Sequence, residues 1–224
     1  FAMAMQDVRY YLNGMLLELH QDVIRLVATD GHRLALSEHQ DSTGISSDKQ
    51  LIVPRKGVLE LARLLANSED KATIILSQNH IRVQTGELVF TSKLIDGKFP
   101  DYNRVIPVDG NKTLSVNRDL LKHSLQRISI LSNEKYRGIR LNLGDNNLSI
   151  QANNPDQEEA EEEISVDYQE TPIEIGFNVT YLLDVLSVLD SEDVKIKLKD
   201  SNSSCIITSS ETEKFRYVVM PMRL

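Results

Sequence analysis

An α+β fold in two domains, each a pseudo-twofold repeat of strand–helix–strand–strand, follows from three features of the sequence. One pattern recurs four times along the 224 residues: a short strand, an amphipathic helix and two longer strands joined by a turn. A stretch rich in Pro, Gly, Asp and Asn, DGKFPDYNRVIPVDGN, interrupts the periodic segments between residues 95 and 112 and marks a junction near Tyr102. The hydrophobic share of 41% and the charged share of 26% are those of a globular chain long enough for two modest cores. The expected domains are therefore residues 1–102 and 103–224.

The last copy of the pattern is the clearest. IEIGFN (173–178) reads as a strand and helix cap, and Val179, Leu182, Leu183, Leu186 and Leu189 follow at helical spacing. VKIKLKD and CIITSS complete it as strands. In the third copy TLSVN precedes a helix with Leu121, Leu125 and Ile128 on one stripe, after which IRLNLG and LSIQAN alternate with period two around a GDNN turn. The second has LIVP, a helix carrying Val58, Leu61, Leu64 and Leu65, then ATIILS and IRVQTG with Asn79 and His80 between them. The first copy opens inside its helix, expected over Ala4 to Leu12, and lacks a leading strand; MLLELH, IRLVATD and RLALSEH follow.

The formal charge of -8 does not advertise indiscriminate binding to nucleic acid, but the charges are segregated. Residues 1–102 carry 11 basic and 13 acidic side chains, the remainder 14 and 20, so the acidity lies mostly in the second half. Much of it is PDQEEAEEE (155–163), expected as an exposed strand opening or loop because six like charges cannot all be buried. The second helix bears Arg55, Lys56 and Arg63 against Glu60 alone, and the third places Arg118, Lys122 and Gln126 on one polar stripe. Such faces suit ordinary solvation, or loose contact with phosphates without base readout.

Several functional classes are disfavoured. The single cysteine, Cys205, provides neither a disulfide framework nor zinc spacing, and is expected in a buried strand in a reducing, cytoplasmic setting. No apolar run approaches eighteen residues, so no membrane partner is expected. His32 beside Asp30 has no accompanying nucleophile, and the acidic run lacks the glycine and alternating spacing of a calcium loop; no catalytic residue, metal or cofactor is assigned.

VATDGHRLAL (27–36), SKLIDGKFPDYNRVIP (92–107), LSNEKYRG (131–138), ANNPDQEEAEE (152–162) and the terminal YVVMPMRL (217–224) together closely resemble the beta sliding clamps of bacterial DNA polymerase III, in order and spacing over essentially the whole chain. The resemblance is to the second and third of that family's three clamp domains. It implies helices on the inner face of a ring around duplex DNA, antiparallel sheets outside, and a non-catalytic processivity role. Residues implied to face DNA are Gln6, Arg9, Tyr10, Tyr11, Lys56 and Arg118.

The family's partner groove would be lined here by Leu12, Thr29, Gly31, His32, Arg33, Leu34, Pro100, Arg104, Val105, Tyr181, Asn202, Ser204, Val218, Val219, Met220, Pro221, Met222, Arg223 and Leu224. Asn202 stands where relatives often carry an aliphatic side chain. The implied ligands are short peptides containing glutamine, leucine or phenylalanine, from replicative and repair polymerases and the clamp loader. Methionine suits such a lining because its soft side chain adapts to different peptides. Ile130 and Leu131, with Glu158, Glu159, Glu161 and Glu162, are implied to meet the first domain of a second subunit in a homodimeric ring; without that domain, this chain is expected to be monomeric. The competing reading is a catalytic nucleotidyltransferase or nuclease domain of a polymerase assembly, against which stands the lack of a glycine-rich phosphate loop.

Overall fold

The computed structural model describes residues 1–66, 70–107 and 110–223, so Val108 and Asp109 of the expected linker and Leu224 of the expected groove lie outside the described residues. The chain divides into Phe1–Asp101 and Tyr102–Leu224.

In the second unit the two repeats interlock. β8 (Lys112–Asn117), α2 (Arg118–Ser129), β9 (Gly138–Gly144), β10 (Asn147–Asn153) and β11 (Glu159–Ser165) form one repeat. β12 (Ile173–Asn178), α3 (Val179–Val188), β13 (Asp193–Leu198), β14 (Cys205–Ser209) and β15 (Phe215–Val219) form the other. All ladders are antiparallel. The opening strand of each repeat pairs with the strand after the other repeat's helix: β8 with β13, and β12 with β9. The sheets therefore run β8-β13-β14-β15 and β12-β9-β10-β11.

Asparagine starts both helices. Asn117 accepts from Leu120 N at 3.0 Å and Asn178 from Thr180 N at 2.9 Å, satisfying N–H groups that have no partner within the helix. Leu121, Leu125, Ile128, Leu182, Val185 and Leu186 then turn inward onto Leu141, Leu148, Ile196 and Ile207. The α2 stripe read from the sequence is buried as expected.

The first unit repeats this logic in part. β1 (Gly14–Leu19), β2 (Val23–Thr29) and β3 (Arg33–Gln40) are followed by β4 (Lys49–Pro54), α1 (Arg55–Leu65), β5 (Thr73–Leu76), β6 (His80–Thr85) and β7 (Leu88–Lys93). β4 pairs with β1 across the repeats, giving β4-β1-β2-β3, while β5-β6-β7 is three-stranded among the described residues. Gly14 is required where β1 passes β4: a Cβ there would lie 2.5 Å from the Val53 carbonyl oxygen.

Three expectations need correction. The helix expected over Ala4 to Leu12 is an irregular segment ending in a single 3-10 turn, Tyr10–Leu12. Gln6 sits at φ +57°, outside helical space, and Asp7 and Asn13 hydrogen-bond the local backbone instead of leaving it to a helical ladder. The second, third and fourth repeats also have three strands after the helix, not two, because β7, β11 and β15 extend the sheets. The acidic run, expected as an exposed strand opening or loop, leads into a regular strand, β11, whose Glu159, Glu161 and Glu163 face solvent while Ile164 faces the core. His80 opens β6 rather than sitting between strands.

Leu125 is fully buried (0% exposed) at the centre of α2. Leu125→Ala should lower unfolding stability by about 2–5 kcal/mol, through lost apolar contact and the cavity left behind, as measured by urea denaturation.

Candidate functional site

The residues expected to face DNA begin on the irregular segment ahead of β1. Asp7 and Asn13 clasp each other, Asp7 N donating to Asn13 Oδ1 and Asn13 Nδ2 to the Asp7 carbonyl, both at 2.9 Å. The Asp7 carboxylate in turn takes Arg9 through its backbone N–H at 2.8 Å, Nε at 3.0 Å and Nη2 at 2.8 Å. Chiefly through the Arg9 side-chain hydrogen bonds, the Asp7 carboxyl is held down to about 2. Tyr10 and Tyr11 stand edge to face, 5.9 Å between centroids, and the Tyr10 ring lies against Gly97.

Gln6 and Lys56 share one hollow along α1, also lined by Met5, Arg55, Leu59 and Arg63. Arg63 is paired with Glu60 at 2.6 Å, and Arg55 donates to the Met3 carbonyl at 3.2 Å. Lys56 is exposed. In the second unit Arg118 is more restrained than a solvated phosphate contact would be: it donates to the Leu189 carbonyl and pairs with Asp119 at 2.8 Å.

The groove residues of the first unit cluster on the β2–β3 turn. Gly31 has φ +91°, a left-handed value that glycine adopts without steric cost. Asp30 Oδ1 accepts from His32 N at 2.9 Å and Arg33 N at 3.1 Å, Asp30 Oδ2 pairs with Arg33 Nε at 3.0 Å, and Thr29 Oγ1 donates to the Arg33 carbonyl at 2.7 Å. His32 is exposed, and the Arg33 guanidinium lies 5.4 Å from the Phe1 ring centroid. Leu12, Leu34 and Thr29 are buried and back the turn, whereas Pro100 is exposed.

In the second unit Arg104 is exposed and Val105 half-buried beside the 3-10 turn Tyr102–Arg104; Tyr181 is half-buried on α3. Asn202 is exposed and Ser204 half-buried on the β13–β14 loop, where Asn202 N donates to Asp200 Oδ1 at 2.9 Å. Val218 and Val219 are buried in β15 opposite Ile206 and Cys205. Met220, Pro221 and Met222 are half-buried, Arg223 is exposed, and Met222 N donates to the Gly176 carbonyl at 2.8 Å, tying the tail to β12. Cys205 is fully buried, and desolvation pushes its thiol up to about 12.

Ile130 caps α2 with 76% of its surface exposed, next to half-buried Leu131. The carboxylates are divided. Glu158 accepts from Asn154 at 2.6 Å, Glu159 is exposed, and Glu161 is held below its ordinary range mainly by hydrogen bonds from Gln151 and Ser149. Glu162 turns to α2, where Arg127 Nε donates at 3.0 Å and Ser124 Oγ at 2.7 Å. Sequence reasoning left Asp7, Asn13 and Asp30 out of the site; the signal for Asp7 and Asp30 was an Asp two residues before a backbone N–H in a turn, and nothing in the spacing pointed to Asn13. Among the described residues no three His, Cys, Asp or Glu side chains gather as a metal site, and no helix is long and apolar enough to cross a membrane.

Two family models account for nearly the whole chain. Residues 1–101 match the central domain of the DNA polymerase III beta subunit and residues 103–223 match its C-terminal domain. The chain belongs to the DNA polymerase III beta subunit family. The beta sliding clamps of Pseudomonas putida and Escherichia coli are 59% and 51% identical over all of this chain, which spans 61% of their length. A crystal structure of the DNA polymerase III subunit beta from Pseudomonas aeruginosa, 57% identical, superposes with a TM-score of 0.98 over all of this chain and 61% of that one. The clamp of Bartonella birtlesii, 40% identical, gives 0.94 over all of this chain and 61% of its own. The α+β fold is that of the family's clamp domains.

Glu162 is held below its ordinary value of 4.5, first of all by the Arg127 hydrogen bond, which outweighs the opposing effect of burial; the Ser124 hydrogen bond adds to the lowering. A depressed carboxylate contributes stability above its unfolded pKa and loses it as pH falls through the folded one. Glu162→Gln should therefore lower the urea midpoint at about pH 7, and that difference should shrink as the pH is taken below 4.5 and close once it has passed through the folded value.

Proposed function

We propose that this chain is the peptide-capturing part of a DNA polymerase processivity factor that acts without catalysis. The whole protein closes as a homodimeric ring on duplex DNA and tethers replicative and repair polymerases and the clamp loader in the cytoplasm. The observation that carries this reading is the match of both units, in order, to the central and C-terminal domains of the DNA polymerase III beta subunit. Local chemistry supports it. The β2–β3 turn is a hydrogen-bonded wall that carries the Arg33 guanidinium beside apolar side chains, and the anchored Met220–Met222 tail supplies an adaptable apolar edge. The clamps of Pseudomonas aeruginosa and Bartonella birtlesii are solved bound to griselimycin, which makes that compound a useful competitor here.

The ligand is a short peptide with a glutamine and two large apolar anchors. DNA contact is to phosphates, through Arg9, Lys56 and Arg118, with Gln6, Tyr10 and Tyr11 beside them, and is weak and sequence-blind in the open chain. The exposed Ile130, with Leu131, Glu158, Glu159, Glu161 and Glu162, is a surface for the first domain of a second subunit.

Titration calorimetry should give a dissociation constant on the order of micromolar for such a peptide. Removal of residues 222–224 should weaken it about tenfold or more; equal binding by the shortened chain would refute the groove assignment.

Light scattering coupled to size exclusion should give a monomer mass across a micromolar dilution series, because like charges on the acidic surface oppose self-pairing. A stable dimer would contradict the assigned subunit surface.

A further inference from the structure

Asp7 holds Arg9 in one place. Its carboxylate engages Nε and Nη2, one edge of the guanidinium fork, and is itself fixed by the reciprocal clasp with Asn13. So aimed, Arg9 reaches the β2–β3 turn: Nη2 lies 3.4 Å from the Asp30 carbonyl oxygen, and a Cβ added to Gly31 would stand 3.2 Å from Nη1. The pair is accessible from solvent, with side-chain exposures of 48% for Arg9 and 21% for Asp7.

We propose that Asp7 is a positioning residue that holds Arg9 against the β2–β3 turn in competition with DNA phosphate, so that duplex DNA and partner peptide oppose each other through Arg9. This rests on the reading above, in which Arg9 faces DNA and residues 29–34 line the peptide groove. A phosphate can take a guanidinium bidentately through the same Nε/Nη2 edge that the Asp7 carboxylate occupies, so the two anions compete for that edge. When phosphate draws Arg9 away, the turn loses the cation packed on Gly31 and the donor facing the Asp30 carbonyl, and its wall becomes less ordered. Because coupling between two binding events is reciprocal, peptide bound at an ordered turn disfavours phosphate at Arg9 by the same factor. Polymerase capture and phosphate grip then alternate, leaving a loaded clamp freer to slide.

The test uses a short mixed-sequence duplex at low salt and the glutamine-containing peptide. Saturating duplex should weaken peptide binding about threefold to tenfold in the unaltered chain and have no effect in Arg9→Ala. Asp7→Asn should raise duplex affinity in the Arg9 background and leave it nearly unchanged in Arg9→Ala, since the gain comes from releasing Arg9. An equal gain in both backgrounds would show mere removal of a negative charge and overturn the proposal. In the unaltered chain, nuclear magnetic resonance should show the Arg9 Nε–H and Gly31 amide signals moving together with one midpoint as duplex is added; movement of Arg9 alone would also overturn it. If Arg9→Ala changes neither duplex nor peptide binding, the DNA-facing assignment of Arg9 fails first, an outcome distinct from loss of coupling with both affinities altered.

Discussion

Each helix donates a hydrogen bond from its first residue into the other repeat of its own unit, and most of the architecture hangs on that exchange. Arg55 N reaches the Asn13 carbonyl at 2.9 Å, Arg118 N reaches Glu192 and Val179 N reaches Arg137, both at 2.8 Å. In every case the acceptor immediately precedes the strand that follows the other repeat's helical position. A helix N-terminus has donors that its own turns cannot satisfy, and here the partner repeat supplies one acceptor. The cross-paired strands β4, β8 and β12 run directly into those helices, so register and helix start are set together. Neither repeat satisfies its backbone alone, which accounts for a fold that is repetitive in sequence yet indivisible within a unit.

The same economy governs charge. In the proposed DNA-contacting role an acidic chain depends on where its cations are held, and several are already engaged by acids or carbonyls: Arg9 by Asp7, Arg63 by Glu60, Arg118 by Asp119 and Leu189. These partners keep the guanidinium groups oriented while lowering the field they project. Surface contacts of this kind to a polyanion are screened by salt and weak singly.

The helices α2 and α3 were legible because three signals agree at each: an asparagine cap, apolar residues at helical spacing, and a preceding alternating strand. Ala4 to Leu12 misled because its apolar spacing spans only about two and a half turns, too short to outweigh the local hydrogen bonds of Asp7 and Asn13 and the left-handed Gln6. β11 was obscured because glutamates occupy both of its faces, so hydrophobic alternation does not show; Glu162 is accommodated only because Arg127 and Ser124 meet it. The proposed functional surfaces rest chiefly on family resemblance. What composition could not reveal is how the parts of the site hold one another, as in the three hydrogen bonds converging on Asp7 from Arg9, two residues along the chain.

The burial of Cys205 has a practical side. It is the sole cysteine of the chain, it is shielded from solvent, and its thiol is pushed up to about 12, so almost no thiolate exists at neutral pH and alkylating dyes find no nucleophile. A cysteine introduced at an exposed position such as Lys56 would then be the one reactive thiol on the native molecule. The natural sequence is already a silent background for attaching a single fluorophore or spin label, without first deleting a core side chain.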